Sequence, residues 1–184
     1  MFWYNKIMSI ENKAEYIKYP GFAIEIQKMV DIDQDMRERN LSEGDYWDDT
    51  VDKENTERMK EIISEIGWPT VSKVGKDGSD NAWLLVQHAD HDPDFQMNCL
   101  KLMKESHTNE VDRNNIAYLE DRVRLNQGKG QLYGTQFTQE NGRHIPRTIE
   151  DVDNVDIRRA EIGMGPLSEQ IQKMYNKYPF DEAK

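Results

Sequence analysis

Apolar side chains recur at helical spacing over much of this chain, and this periodicity is the feature that most constrains its fold. One turn of an α-helix takes about 3.6 residues, so apolar positions three or four residues apart collect on a single face. Residues 22–40 have this spacing, which predicts an amphipathic helix with one buried face. The predicted face consists of Phe22, Ile26, Met29, Val30, Asp33 and Met36.

Further helices are predicted from the same pattern and from the residues that bound them. Gly67 closes the helix of residues 52–67, in the position expected after a helix end. The two glycines of residues 75–78 predict a loop, followed by a helix that is capped by Ser79 or Asp80 and ends near residue 91. Asp92 is a natural N-cap for the next helix, because Pro93 suits its first position. The remaining predicted helices cover residues 92–106, 112–128, 153–163 and 166–178.

The period changes in the last third of the chain. Side chains alternate on both sides of Asn141-Gly142, and an Asn-Gly pair between two short runs favours a β-hairpin with a type I′ turn. Pro146 lacks an N–H, so its strand is expected at a sheet edge. The predicted fold class is therefore mainly α: a single helical domain with one small β-hairpin near residues 131–148.

Charge divides the chain unevenly and suggests its organisation. Residues 1–66 hold sixteen acidic and nine basic side chains, which accounts for −7 of the formal net charge of −11. We predict an acidic helical N-terminal part over residues 1–66, packed on a helical core domain of residues 67–184 that includes the hairpin. No internal repeat or low-complexity tract is visible.

Composition argues against several classes of protein. A net charge of −11 disfavours binding to nucleic acid or to an anionic membrane surface. No run approaches the ~18 apolar residues of a membrane span, and the opening segment MFWYNKIMSI lacks the long apolar core and cleavage site of a signal peptide. The single Cys99 excludes an internal disulfide and is expected to be a buried core residue. We predict a cytoplasmic protein.

The most unusual stretch is WLLVQHADHDPDFQ, residues 83–96, where titratable groups follow an apolar run. On the predicted helix, Gln87, His88 and His91 share a face that begins in the core, and Gln87 and His91 are candidate substrate-binding residues. His88 is the candidate general acid or base, with Asp121 or Asp90 orienting its ring. A half-buried histidine bonded to a backbone carbonyl is the alternative.

A metal site at the same stretch is the other hypothesis that stays open. The sequence HADHD supplies nitrogen and oxygen ligands, but it matches no helical zinc signature such as HExxH. Further ligands would have to come from elsewhere in the chain. No phosphate-binding loop or dinucleotide fingerprint is present either, so we predict neither a metal nor a cofactor.

A second cluster of polar residues follows the predicted helix of residues 112–128. On the expected strand, Gln131, Tyr133 and Thr135 point the same way, where a simple sheet would prefer valine or isoleucine. Such a row either faces water or lines a site. The candidate substrate-binding residues of this region are Arg122, Arg124, Gln131, Tyr133, Thr135 and Gln136.

The third feature is a pair of adjacent arginines, Arg158 and Arg159. Helical spacing from Val155 sets Arg159 on the apolar face of its predicted helix. A buried guanidinium needs a partner, because an unpaired buried charge costs several kcal/mol. Asp121 or Asp90 would make a structural salt bridge, whereas a carboxylate or phosphate of a ligand would make an anion clamp. The sequence leaves both open.

These motifs together resemble a bacterial family catalogued as domain of unknown function 6624. The resemblance covers roughly residues 67–175, and it implies that the three clusters belong to one domain, with the acidic N-terminal part a variable cap. It implies no reaction, cofactor or catalytic residue. The matching segments are Trp68-Pro69, Ala82 to Asp90, Asp121 to Val123, Tyr133 to Gln136 and Val155 to Arg159.

Two functions remain as hypotheses. The first is an enzyme with hydrolase-type acid–base chemistry on a small anionic substrate, in which His88 acts with Asp121 or Asp90 and arginines hold the anion. The second is a non-catalytic acidic binding protein, an immunity protein or inhibitor, that masks a basic protein partner. The second hypothesis predicts a flat face that exposes Tyr46, Trp47, Asp48 and Asp49. The sequence does not indicate an oligomeric state.

Overall fold

The computed structural model describes residues 17–44 and 47–178. The segment MFWYNKIMSI and Tyr46, on which two predictions rest, lie outside the described residues. Within these ranges the regular structure is seven α-helices and one two-stranded antiparallel sheet, which confirms a mainly α fold with one small hairpin. The helices are α1 (Pro20–Glu43), α2 (Asp49–Ile66), α3 (Val71–Gln87), α4 (Pro93–Glu105), α5 (Arg113–Asn126), α6 (Val155–Glu161) and α7 (Leu167–Lys177).

The first two helices follow the sequence pattern closely. The predicted face of α1 is buried at Ile26, Met29, Val30, Asp33 and Met36, and α1 packs against α2. Helix α2 ends at Ile66, and the next residue, Gly67, has a φ of 67°, the left-handed conformation that favours glycine. The predicted helix end at this glycine is confirmed.

The start of α3 corrects the sequence analysis. The predicted loop over residues 75–78 is wrong, because the helix begins at Val71 and is interrupted only at Gly75. The first turn is supported from outside, since the N–H groups of Lys18 and Tyr19 donate to the carbonyl oxygens of Ser72 and Lys73. Helix propensity does not include such hydrogen bonds from outside the helix, so the two glycines predicted a loop. Ser79 lies buried inside the helix and does not cap it.

The other end of α3 also differs from expectation. The helix ends at Gln87, so His88 and His91 lie in the turn before α4 and do not continue a helix face. The predicted N-cap of α4 is confirmed, because Asp92 Oδ1 accepts a hydrogen bond of 3.0 Å from the N–H of Phe95.

The hairpin is shorter than the region of alternating sequence. Strand β1 (Phe137–Glu140) pairs with β2 (Arg143–Pro146), so that Phe137 lies opposite Pro146. Asn141 and Gly142 both have positive φ, 49° and 77°, as a type I′ turn requires. Residues 131–136 are not part of β1, so the predicted strand face at Gln131, Tyr133 and Thr135 is wrong.

Contacts divide the chain into two compact units. The first holds the described residues up to Leu85 together with Ser106–Glu110, and the second holds Val86–Glu105 and the described residues from Val111 onward. The boundary at residue 66 stays a prediction. In the second unit α4 packs on α5, and α7 contacts both β2 and α6. None of the helices described is both long and apolar enough to cross a membrane.

Candidate functional site

A single buried carboxylate organises residues 131–136, which we call the clamped loop. Asp121 of α5 is fully buried, and its two oxygens accept hydrogen bonds from the backbone N–H groups of Leu132, Tyr133 and Thr135. The hydroxyl of Thr135 donates to the same carboxylate over 2.9 Å. Burial raises the pKa of Asp121 above its ordinary value, while these four donors act in the opposite direction.

The two adjacent arginines hold the same loop through its carbonyl oxygens. Arg158 Nε donates to Leu132 O over 2.8 Å, and Arg159 Nη1 donates to Tyr133 O over 2.5 Å. The clamped loop therefore lies between a carboxylate that takes its N–H groups and two guanidiniums that take its carbonyls. Three family-like motifs that are distant in sequence meet in this arrangement.

The polar row predicted here serves the clamped loop itself. Gln131 is buried, and its side chain donates to Gln136 O and Arg147 O and accepts from Gln136 N. Thr135 is buried against Asp121. We expected the row to face water or to line a site, but Gln131 and Thr135 do neither. The side chain of Gln131 bonds to backbone groups of Gln136 and Arg147, and the hydroxyl of Thr135 donates to Asp121.

Arg159 is one of the predicted site residues that line an open cavity. The cavity has a volume of about 290 Å³ and is formed by α5, the segment after α6, and α7. Arg159 is 4 % exposed, as its apolar-face position predicted. The residues that line the cavity are Asn114, Tyr118, Arg159, Gly163, Met164, Gly165, Pro166, Glu169, Gln170 and Lys173.

No carboxylate of the described residues neutralises Arg159. Its guanidinium donates from Nε to Gly165 O over 2.7 Å and from Nη1 to Tyr133 O, and both acceptors are uncharged. Neither Asp121 nor Asp90, the partners suggested by the sequence, forms a salt bridge with it. Burial lowers the pKa of Arg159, and the nearby charges of Asp156, Asp121 and Glu169 partly oppose that shift.

Residues that the sequence analysis did not single out complete the cavity wall. Lys173 and Glu169 bring opposite charges from α7, and Gln170 Nε2 donates to the hydroxyl of Tyr118 over 3.3 Å. Asn114 contributes a buried Oδ1 that has no hydrogen-bond partner within the described ranges. Glu169 and Gln170 lie four and three positions before Lys173 on α7, and this helical spacing was a signal that the sequence-based prediction did not use.

A second, smaller cavity collects three other predicted site residues. Arg122 pairs with Asp90, and both line a space of about 140 Å³ together with Gln136 and Arg147. Arg122 Nε is buried without a partner in the part of the chain that the structure describes. Asp90 Oδ1 also accepts from Gln96 Nε2 over 3.2 Å, which fixes the carboxylate at the turn after α3.

The histidines are not among the lining residues of either cavity. His88 is half-buried directly after α3, and His91 is exposed. Gln87 is 4 % exposed, and neither atom of its amide has a hydrogen-bond partner among the residues described. Acid–base catalysis by His88 stays a prediction, but Asp121 is fully engaged by the clamped loop and its four donors leave it no evident role in orienting a ring.

Arg124 has a supporting role at the base of the clamped loop. Its Nε donates to Gly130 O over 2.8 Å, and its Nη2 pairs with Glu150. These contacts tie the end of α5 to both ends of the segment that carries the hairpin. Arg124 lines neither the larger nor the smaller cavity described above.

The surface expected of a partner-masking protein is exposed where it can be described. Trp47 is 47 % exposed, and Asp48 and Asp49 beside it are exposed as well. Trp47 Nε1 donates to Asp49 over 2.7 Å, and the guanidinium of Arg37 lies 5.0 Å from the Trp47 ring centroid. Binding of a basic protein stays a prediction.

Comparison with known proteins gives a family and no activity. The model of DUF6624, a family of unknown function, matches residues 20–182, and the chain belongs to this family. The match is wider than the expected residues 67–175 and includes α1 and α2, so these helices are part of the family pattern and not a cap outside it. No curated protein and no solved structure matches the chain.

Proposed function

We propose that this member of a family of unknown function binds a small anionic molecule in the cavity beside Arg159. The observation that carries the proposal is a buried guanidinium, bonded to two carbonyl oxygens and to no carboxylate of the described residues, in the wall of an open cavity. Lys173 adds a second positive charge to the same wall. A carboxylate or phosphate group is the complement of these side chains.

The energetics favour an anion at this position. A buried charge without a counterion costs several kcal/mol, and carbonyl dipoles offset only part of that cost. An anion that enters the cavity would gain charge-assisted hydrogen bonds of about 1.5 to 3 kcal/mol each. Binding of an anion would therefore lower the free energy of the folded protein.

The clamped loop supports the proposal because it fixes the guanidinium in advance. Tyr133 O and Gly165 O hold two of the three nitrogens of Arg159, so little side-chain entropy remains to be lost on binding. A binding group held by the fold in this way is typical of sites built for a ligand. The hydrogen bonds to Gly165 O and Tyr133 O use Nε and Nη1 of Arg159, so Nη2 remains as a donor for a ligand.

Titration calorimetry at constant ionic strength would test the proposal, with acetate, propionate and inorganic phosphate as probes. Lys173→Gln should weaken binding about tenfold, since one charge-assisted contact is worth about 1.4 kcal/mol or more. Lys177→Gln is the matched control, because Lys177 lies one turn further along α7 and does not line the cavity. Arg159→Lys keeps the charge and loses the forked geometry, so it should also bind more weakly.

Equal binding by the wild type, Lys173→Gln and Arg159→Lys would contradict a site in this cavity. Circular dichroism and thermal unfolding of each variant separate a loss of binding from a loss of fold. Arg159→Lys needs this check most, because Arg159 also anchors the clamped loop.

Acid–base catalysis is the second candidate function. It is favoured by the pairing of Asp90 with Arg122 in a polar cavity, two residues after the half-buried His88. Chromogenic esters of carboxylic and phosphoric acids are suitable substrates for a first assay. Turnover that survives His88→Asn with an intact fold would exclude His88 as the acid or base.

A further inference from the structure

We infer that the ligand of the Arg159 cavity carries a protonated amino group in addition to its anionic group. The inference rests on the proposed function and deepens it, because it names the ligand as a small amino acid or a close relative. The observation behind it is a carboxylate, Glu169, that lines the same cavity as the two cations. The cavity therefore has a negative pole as well as a positive one.

Gly165 locates the two poles relative to one another. Its carbonyl oxygen accepts the hydrogen bond from Arg159 Nε, and a Cβ built on Gly165 would lie 2.6 Å from Glu169 Oε2. The carboxylate of Glu169 thus lies against the residue whose carbonyl binds the guanidinium. One small ligand can span both groups.

Glu169 and Lys173 are the charged side chains that α7 contributes to this wall, and the charge of Glu169 acts on Arg159 without forming a salt bridge. Glu169 and Lys173 are exposed, and within the described residues neither forms a hydrogen bond or an ion pair through its side chain. Although they are four positions apart on one helix, they are not paired with each other. Both charges are available to a ligand.

A further acceptor lies in the same wall. Asn114 Oδ1 is buried and has no donor among the residues described, and a buried acceptor without a donor costs about 1 to 3 kcal/mol. An ammonium group offers three N–H donors and no acceptor, so it suits a wall whose exposed acceptor is the Glu169 carboxylate, whereas Asn114 Oδ1 reaches a ligand only after a rotation of its side chain.

Glu169 disfavours a ligand that is only an anion. Its charge repels a second negative group, most strongly a dianionic phosphate, whereas an ammonium turns that repulsion into attraction. A volume of about 290 Å³ lies at the small end of ligand pockets, which fits an amino acid better than a nucleotide.

The test compares amino acids with the same molecules lacking the amino group. The probes are L-alanine, β-alanine, γ-aminobutyrate and the other standard L-amino acids, with propionate, butyrate and the remaining parent acids as partners. Binding is measured by titration calorimetry at neutral pH on wild type, Glu169→Gln, Lys173→Gln and Glu161→Gln. Glu161 is an exposed carboxylate at the end of α6 that does not line the cavity, so Glu161→Gln is the matched control.

We expect at least one amino acid to bind ten times or more tightly than its parent acid. Glu169→Gln should abolish this advantage and should leave binding of the parent acid unchanged or stronger, because a repulsive charge is removed. Lys173→Gln should weaken both members of a pair. Glu161→Gln should behave as wild type.

Two failures are distinguishable. If parent acids bind in a Lys173-dependent way and no amino acid binds more tightly, or if Glu169→Gln keeps the advantage, the inference is overturned while anion binding stands. If no carboxylate, phosphate or amino acid binds in a Lys173-dependent way, the proposed function falls and the inference falls with it.

Discussion

Asp121 and Thr135 are joined twice, because one carboxylate oxygen accepts both the backbone N–H and the side-chain hydroxyl of the threonine, at 3.0 and 2.9 Å. The residues lie fourteen positions apart, one in α5 and one in the clamped loop. This double contact closes a turn that no regular strand or helix supports. It also places Tyr133 O where Arg159 binds it, so the carboxylate positions the cavity wall from a distance.

Asp121→Asn should destabilise the fold strongly. An asparagine offers one acceptor oxygen, and its amide nitrogen would face N–H groups that now donate to a carboxylate. Loss of hydrogen bonds to a buried charge should lower the free energy of unfolding by about 3 kcal/mol or more, which for this chain length is a fall in Tm of about 6 to 12 °C. Thermal unfolding followed by circular dichroism measures the change.

Asp153→Asn is the control for this variant, because Asp153 is exposed in the short helical turn before α6. Its Tm should stay close to that of wild type. An Asp121→Asn protein as stable as Asp153→Asn would show that the clamped loop does not depend on the carboxylate.

Gly165→Ala should change ligand selectivity while the fold is kept. The added Cβ would meet Glu169 Oε2, the far end of a flexible side chain that can move aside. Displacing the carboxylate should reduce the preference for an amino acid over its parent acid, measured as the ratio of their Kd values. The control is Gly21→Ala, because a Cβ added at Gly21 would meet no atom within 4 Å. Gly163→Ala is unsuitable, because Gly163 has a φ of 83° that an alanine would strain. An unchanged ratio in Gly165→Ala would argue against contact between Glu169 and the ligand.

Cys99 should resist alkylation in the folded protein. It is 1 % exposed, and burial raises the pKa of its thiol to about 12, so the reactive thiolate is absent near neutral pH. Iodoacetamide should therefore modify Cys99 only as fast as the protein opens, and completely in denaturant. Rapid stoichiometric modification without denaturant would mean that α4 is not packed as described.

Glu110→Gln should make stability less dependent on pH. Glu110 Oε2 accepts from the N–H and the hydroxyl of Ser72 at the start of α3, and the backbone hydrogen bond is the main cause that lowers the pKa of Glu110 below 4.5. A lowered pKa stabilises the fold above the unfolded value, and that stabilisation is lost as pH falls through the folded one.

Denaturant unfolding should thus show Glu110→Gln less stable than wild type at neutral pH, with a difference that shrinks below pH 4.5. Glu65→Gln, on an exposed position of α2, is the control. A difference that persists undiminished in acid would assign the effect to something other than the charge of Glu110.

Local features of the sequence predicted what local physics controls. The spacing of Ile26, Met29 and Val30 predicted the buried face of α1, and Asn141-Gly142 predicted the turn of the hairpin. Each of these depends on neighbours within a few positions. The position of Arg159 on the apolar face of its own helix was equally local, and its burial there was predicted.

Tertiary structure alone decided the clamped loop and the cavity. The alternation of residues 131–136 predicts a strand. In the structure, several N–H groups of this segment donate to the single carboxylate of Asp121, and two of its carbonyl oxygens accept from Arg158 and Arg159. The backbone groups of a strand cannot converge on one side chain in this way. In the same way, support from Lys18 and Tyr19 started α3 before its glycines. Hydrogen bonds between residues far apart in sequence satisfy backbone groups without regular structure, and the spacing of apolar residues along the chain cannot predict such bonds.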